Sequence, residues 1–386
     1  MHDCLIVGGG VIGLSLAYEL AGAGLSVQLL ERGGRPGRET SWAGAGILPP
    51  RRPNGPEDRL GQLAQLSCEL HPQWAAALQD ETGVDTGLRR CGGLYLAHDA
   101  ASAAALEQQA AQWNQTGIEA EPIDRQQLAA LEPALCPHEA AIDVQRAYLL
   151  RDEYQLRNPR HLKALIAACR RRGVEIVCGQ SVEEFVVVRG AMREVIAGGE
   201  PFRAGQFCLT AGSWSGALMR RLGLSIAVKP IRGQIVLLQI ARPLIERVVN
   251  LGRRYLVPRP DGRVLAGSTE EDAGFLCHTT AAGVAGVLET ALALVPQLRD
   301  APIERSWAGL RPATTDGLPY LGPIPNIANA FVATGHFRAG IELSPATALV
   351  MSQLIRGESP QVNLDAFRLD RQIAESREPR AESQSS

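Results

Sequence analysis

A chain of 386 residues with 45% apolar residues exceeds the length over which one hydrophobic core keeps growing, so two domains are expected, interleaved or consecutive. Its formal net charge of −2 gives no electrostatic footing for nucleic acid or an anionic membrane as the main partner. The eight cysteines (4, 68, 91, 136, 169, 178, 208 and 277) form no CxxC pair and no metal-ligand spacing with histidine, so they read as free thiols of a reducing cytosol and no metal site is expected.

Residues 4–7 are an uninterrupted apolar run, the pattern of a strand buried on both faces of a parallel sheet. This early strand leaves no room for a cleavable leader, and no apolar run approaches the roughly 20 residues that span a bilayer, so a cytoplasmic location is expected. Gly8, Gly10 and Gly13 follow at once: the first for a tight turn, the second for close backbone approach to a pyrophosphate, the third for helix–strand packing. A helix from Val11 and Ile12 then offers its N-terminal amides to phosphates, Gly24 ends it, and residues 27–30 read as a second strand. Glu31 closes the unit where a carboxylate accepts from ribose hydroxyls, which favours FAD or NAD over NADP and does not separate the first two.

Residues 32–59 form a Gly-, Pro- and Arg-rich loop, of a length that is usually functional or disordered. An amphipathic helix is predicted over 57–80, a strand over 92–96 and an alanine-rich helix over 100–115. Asn158-Pro159 reads as an N-cap and first helical residue of a helix to Arg172. Strands follow at 174–178, 184–188 and 206–210, and the turn at Ala211, Gly212 and Ser213 opens another helix. Long β-type runs occupy 226–269, a helix 281–294 and a strand 303–307. The last elements are a strand over 330–335 and a helix from Gly340 to 355. Residues 367–386 read as a disordered tail, being charged and serine-rich.

Three stretches outside the first unit carry chemistry. Arg311 follows a strand and precedes Pro312, so a rigidly placed guanidinium there suits a substrate carboxylate; the alternative is a structural arginine paired with Asp316 or a backbone carbonyl. Gly335-His336-Phe337-Arg338 ends a strand before a helix, which directs amides and a positive helix end at one place, and His336 is either a hydrogen-bonded structural residue or a base. Tyr255 begins a strand beside Arg253 and Arg254 and is either a packed sheet residue or a pocket hydroxyl.

Taken together, GGGVIG with Glu31, RETSWAGAGIL (38–48), LTAGSWS (209–215), YLVPRPDGRVLAGST (255–269), GLRPATTDGLPYLGP (309–323), GHFRAGIELSPATA (335–348) and NLDAFRLDR (363–371) resemble the D-amino acid oxidase superfamily of flavoproteins, most closely its glycine oxidase (ThiO-type) branch. The resemblance implies an α/β fold in which a Rossmann-type FAD-binding domain (1–83, 145–223, 309–366) is interleaved with a β-rich α+β substrate domain (84–144, 224–308). It implies noncovalent FAD held by Gly8, Gly10, Val11, Ile12, Gly13, Glu31, Arg32, Thr40, Ser41, Gly44, Gly46, Val182, Ala211, Gly212 and Trp214. Gly335, His336, Phe337, Arg338, Gly340, Ile341, Glu342 and Leu343 would border the flavin ring. Arg311 aligns with the arginine that grips the substrate carboxylate, Tyr255 with a pocket tyrosine, and Arg338 with a position whose carbonyl receives the amine. Gly46 and Ile47 would shape the pocket, with Ile47 where related enzymes carry methionine.

The implied reaction is oxidative deamination of glycine or another small amino acid, a D-amino acid or sarcosine, by hydride transfer to flavin, with O2 returning the flavin to its oxidised form and yielding H2O2. The imine would hydrolyse or feed thiamine thiazole synthesis, and the enzyme would assemble as a homo-oligomer. A D-amino acid dehydrogenase passing electrons to a quinone or carrier is the rival reading, and a redox sensor without turnover a more distant one. No cysteine follows Cys277 near the last motif, which argues against the sarcosine oxidase branch with its cysteine-linked flavin.

Overall fold

The apolar run that opens the chain becomes the strand His2–Val7, paired on both sides inside a six-stranded sheet, where a strand with two buried faces belongs. The computed structural model of the protein describes residues 1–135 and 142–371, so Cys136 and residues 372–386 of the anticipated tail lie outside the described residues. Across that sheet the order is Tyr320–Pro323, Ala330–Thr334, Ala204–Leu209, His2–Val7, Val27–Glu31 and Glu175–Cys178. All neighbours are parallel except the first pair, a hairpin that the sequence pattern did not reveal. Helices Val11–Gly22, Arg59–Thr82, Asn158–Arg171 and Gly340–Ile355 pack on one face in a common core. The antiparallel sheet of Val182–Val188, Ala191–Ala197 and Glu200–Phe202 shares the core on the other.

A second, eight-stranded sheet runs Ile303–Thr314, Val228–Gln239, Arg263–Gly267, Arg254–Pro258, Val248–Leu251, Gly93–Ala97, Arg146–Leu150 and Glu121–Ile123. Strand side chains alternate between faces, and this sheet uses the alternation fully. Leu94, Val249, Leu256, Ala266 and Val236 point to a core closed by helix Ala281–Leu294. Their sequence neighbours Tyr95, Asn250, Tyr255, Gly267 and Ile235 pair in one continuous row on the opposite face, which turns toward the nucleotide-type sheet. The two architectures together make the mixed α/β fold anticipated from the motifs.

Several local expectations need correction. Arg311 lies inside a strand, since Ile303–Thr314 runs on beyond residue 307 and pairs with Val228–Gln239 along nearly its whole length. The boundary anticipated at 309 cuts through strand Ile303–Thr314, and the one at 145 puts strand Arg146–Leu150 with the FAD-binding segments, although both strands are members of the eight-stranded sheet. Asn158 is the first residue of its helix rather than its cap, and its side chain amide donates to the Ser41 carbonyl at 2.9 Å. Nor does the tail begin at 367: Phe367 is fully buried in the first core, and Arg371 pairs with Asp316 at 2.7 Å while stacking 3.9 Å above the Tyr320 ring. Truncating Phe367 to alanine should cost about 3–5 kcal/mol and lower Tm by roughly 10 °C; thermal unfolding that leaves Tm unmoved would show that this end is not anchored.

Candidate active site

Between the two sheets lies a cavity of about 600 Å³, a volume suited to a sizeable organic ligand. The anticipated site residues all line it except Gly13 and Leu343. Gly13 instead packs beneath the turn, where a Cβ would fall 2.0 Å from the Gly8 carbonyl oxygen, and Leu343 is buried in the first core.

One arm of the cavity is a cradle for an anion. Gly8 turns at φ +114°, and a Cβ there would meet the Thr210 carbonyl at 2.7 Å, so only glycine fits. Gly10 caps helix Val11–Gly22 without a side-chain acceptor, and Ser41 Oγ accepts from the first helical amide, Val11, at 2.9 Å. The Glu31 carboxylate accepts from the Gly9 and Gly33 amides at 2.9 and 2.6 Å, which fixes it at the cavity wall with lone pairs left for hydroxyl donors. Arg32 stacks 4.1 Å above the Trp214 ring at the same end. Asn158 Oδ1 is buried, faces the cavity loop at Gly46 and has no hydrogen-bond partner, an acceptor left open for a ligand. Amides at a helix N-terminus, a carboxylate for ribose and an unfilled buried acceptor fit an adenine dinucleotide.

The other arm is floored by the row of the eight-stranded sheet. Arg311 extends over Gly233, where a Cβ would collide with the guanidinium, and donates to Ser268 Oγ at 2.7 Å and the Thr269 carbonyl at 3.1 Å. Among the described residues no carboxylate pairs with it: Asp316, the alternative partner, is taken by Arg371. Burial lowers its pKa from the usual arginine value, yet a guanidinium stays charged. Tyr255 stands over Gly267 and packs with Ile47, Ala45 and Trp307. The Arg338 side chain pairs with Glu270 at 3.3 Å.

His336 is not a base here. It is buried, its Nε2 lies 3.1 Å from Thr347 Oγ1, and burial pulls its pKa down to about 3, so it stays neutral through the physiological range. Glu342 pairs with Arg51 at 2.7 Å, and its backbone carbonyl accepts from Ser67 Oγ and His71, which moors helix Gly340–Ile355 at the cavity. Arg51, Tyr95 and Asn250 line the cavity without having been anticipated. Behind them the Tyr95 hydroxyl donates to the buried Glu153 at 2.6 Å. These residues belong to no motif; only strand alternation, which puts Tyr95 and Asn250 on the Tyr255 face, could have pointed to them. Gly233 had a readable signal, a glycine inside a strand where another group approaches closely.

A phosphate cradle opening onto a pocket whose partly buried cation forms no direct ion pair defines a dinucleotide-dependent enzyme of carboxylate-bearing substrates. Comparison with known proteins gives the family. Residues 3–354 match the model of the FAD dependent oxidoreductase family (DAO), and the chain belongs to it. It is similar to glycine oxidase of Pseudomonas aeruginosa, 35% identical over 368 residues that cover 93% of this chain and 96% of that one. It is also similar to the bifunctional protein ThiO/ThiG of Trichormus variabilis, 32% identical over 96% of this chain and 55% of that protein. The crystal structure of glycine oxidase from Geobacillus kaustophilus superposes with a TM-score of 0.90 at 32% identity, covering 97% of this chain and 99% of that one. The choice between FAD and NAD that the first motif left open therefore falls to FAD.

Burial lifts the Glu153 carboxyl to about 7. Between its ordinary value and that one the folded protein holds a proton that the unfolded chain has released, so stability falls as pH rises through this window, by on the order of 3 kcal/mol once complete. Glu153→Gln removes this term. Its thermal stability relative to wild type should rise from pH 5 to pH 8, and a pH-independent difference would contradict the assignment.

Proposed function

We propose that the protein oxidises glycine or another small amino acid, with FAD held noncovalently along the cavity and O2 as the final acceptor. The observation that carries this reading is Arg311, a partly buried cation lining the cavity whose hydrogen-bond acceptors, Ser268 Oγ and the Thr269 carbonyl, are neutral. Leaving a charge buried without an opposite charge is costly, and a substrate carboxylate arriving bidentately relieves that cost.

Held in this way, the carboxylate places the substrate Cα against the wall formed by Tyr255 and Ile47, which Trp307 backs from outside the cavity. The Arg338 carbonyl takes the amine. Most of the contribution of the protein is positioning, with the reactive carbon fixed and water kept from it. Bound FAD supplies the two-electron acceptor for the Cα–H bond. Gly8, Gly10, Val11, Ile12, Ser41 and Thr40 would hold its phosphates, Glu31 its ribose, and Val182, Ala211, Gly212, Arg32 and Trp214 the remainder of its adenosine half. Gly44, Gly46 and the segment from Gly335 to Glu342 border its ring. The imine that leaves hydrolyses to the oxo acid and ammonia or is consumed in thiamine thiazole synthesis, a role supported by the bifunctional ThiO/ThiG relative. No helix among the described residues is long and apolar enough to cross a membrane; a cytoplasmic homo-oligomer completes the reading.

The purified protein should be yellow, and glycine added without oxygen should bleach it; a flavin that no small amino acid reduces overturns the proposal. Arg311→Ala should retain its flavin while KM for amino acids rises by roughly a hundredfold or more. Unchanged KM in steady-state kinetics would make this arginine structural.

A further inference from the structure

Residues 270–272 are an acidic run, Glu270-Glu271-Asp272, directly after the two residues that hold Arg311. Each acid has its own cation: Glu271 pairs with Arg232, Asp272 with Lys229 at 3.1 Å, and Glu270 with both Arg253 at 3.1 Å and Arg338 at 3.3 Å. Glu270 alone of the three is tied to a cation that lines the cavity, because Arg338 does so together with Arg311. The substrate arm is thus lined by two guanidiniums, from Arg311 and Arg338, and Glu270 ties the second of them to the exposed Arg253 outside the lining.

We propose that Glu270 limits the site to substrates with a single carboxylate: it ties Arg338 and Arg253 and sets a negative charge beside Arg311, so a second carboxylate meets repulsion and no untied cation. The inference rests on the amino acid oxidase reading above and adds what that reading leaves open, the charge of the side chain accepted. Arg311 feels both neighbours, attraction from Glu270 and repulsion from Arg338. Glu270 is an exposed residue whose side chain keeps 24% of its surface in solvent, so its charge is partly screened and acts only over the short distance to the cations it holds. An exposed ion pair holds little by itself, but a carboxylate shared by two arginines near a half-buried third acts on whatever enters beside them. Like charges placed together at a binding surface are a standard means of rejecting a wrong partner. Glu270 touches neither substrate nor reacting atoms; it acts through Arg338 and through its field.

The test compares D-aspartate with D-alanine, which differ by one carboxylate, in kcat/KM of the holoenzyme. Glu270→Gln and Glu270→Ser should each raise the D-aspartate to D-alanine ratio by roughly tenfold, the scale of one partly screened charge pair. Glu270→Asp, which keeps the charge, should keep the wild-type ratio, and adding Arg338→Gln to Glu270→Gln should cancel the gain. Binding of malonate and acetate, read from the flavin absorbance spectrum without turnover, should show malonate tightening and acetate unchanged. A ratio that stays constant in both charge-removing variants, or malonate and acetate that shift alike, overturns the proposal. If wild type turns over neither glycine nor D-alanine, the oxidase reading fails, while the malonate-to-acetate comparison still decides the role of Glu270.

Discussion

A half-buried guanidinium that pairs directly with no carboxylate is the constraint on which the substrate arm is built. Arg311 can sit there because three features converge. Gly233 on the neighbouring strand leaves the space, Ser268 and Thr269 satisfy part of its donor fork, and Asp316 is drawn away by Arg371. Each feature is inexpensive by itself, a missing methyl, a hydroxyl, a surface-side ion pair. Together they leave a cation whose remaining donors face a cavity, the arrangement in which a carboxylate gains most from binding.

The same strand couples the substrate arm to the nucleotide arm. The loop that follows Glu31 is stitched to Ile303–Thr314 by the Thr40 hydroxyl on the Leu310 carbonyl at 2.5 Å and by the Trp307 indole on the Ala43 carbonyl at 3.0 Å. Gly309 permits this contact, since a Cβ there would press on Ala43 at 2.7 Å. From the end of the interior strand Arg254–Pro258 the buried Arg259 holds the Ala45 and Leu156 carbonyls at 2.7 and 2.9 Å. The cavity-lining loop from Thr40 to Ala45 and the strand that bears Arg311 are therefore one hydrogen-bonded unit, held by short bonds from side chains to backbone carbonyls.

Much of this was legible in the sequence where function leaves a compact signature. The glycine turn, the helix from Val11 and the acid at Glu31 follow from backbone requirements that few residue types meet, and helices over 100–115 and 281–294 follow from composition and periodicity. The long strand through Arg311 was harder to see. Gly309, Pro312 and Gly317 break the β pattern, although across the sheet Gly309 faces Gly233 and Pro312 faces Pro230. The partners of Arg311 lie some forty residues away in sequence, and no local rule connects them. The polar group of Tyr95, Glu153 and Asn250 arises only when strands Gly93–Ala97 and Val248–Leu251 pair, so its chemistry belongs to the sheet register. Phe367 was missed because a single aromatic in a charged stretch gives no periodicity, yet tertiary packing buries it completely.

The account makes the substrate carboxylate the handle by which everything else is placed, and substrate esterification tests that directly. Rates of anaerobic flavin reduction by glycine and by glycine methyl ester can be compared in the same rapid-mixing experiment. With the anchor at Arg311 the ester, which keeps the amine and the Cα–H bond, should reduce the flavin at least about a hundredfold more slowly at equal concentration. Equal rates for acid and ester would contradict the account, because the guanidinium would then have no part in presenting the substrate.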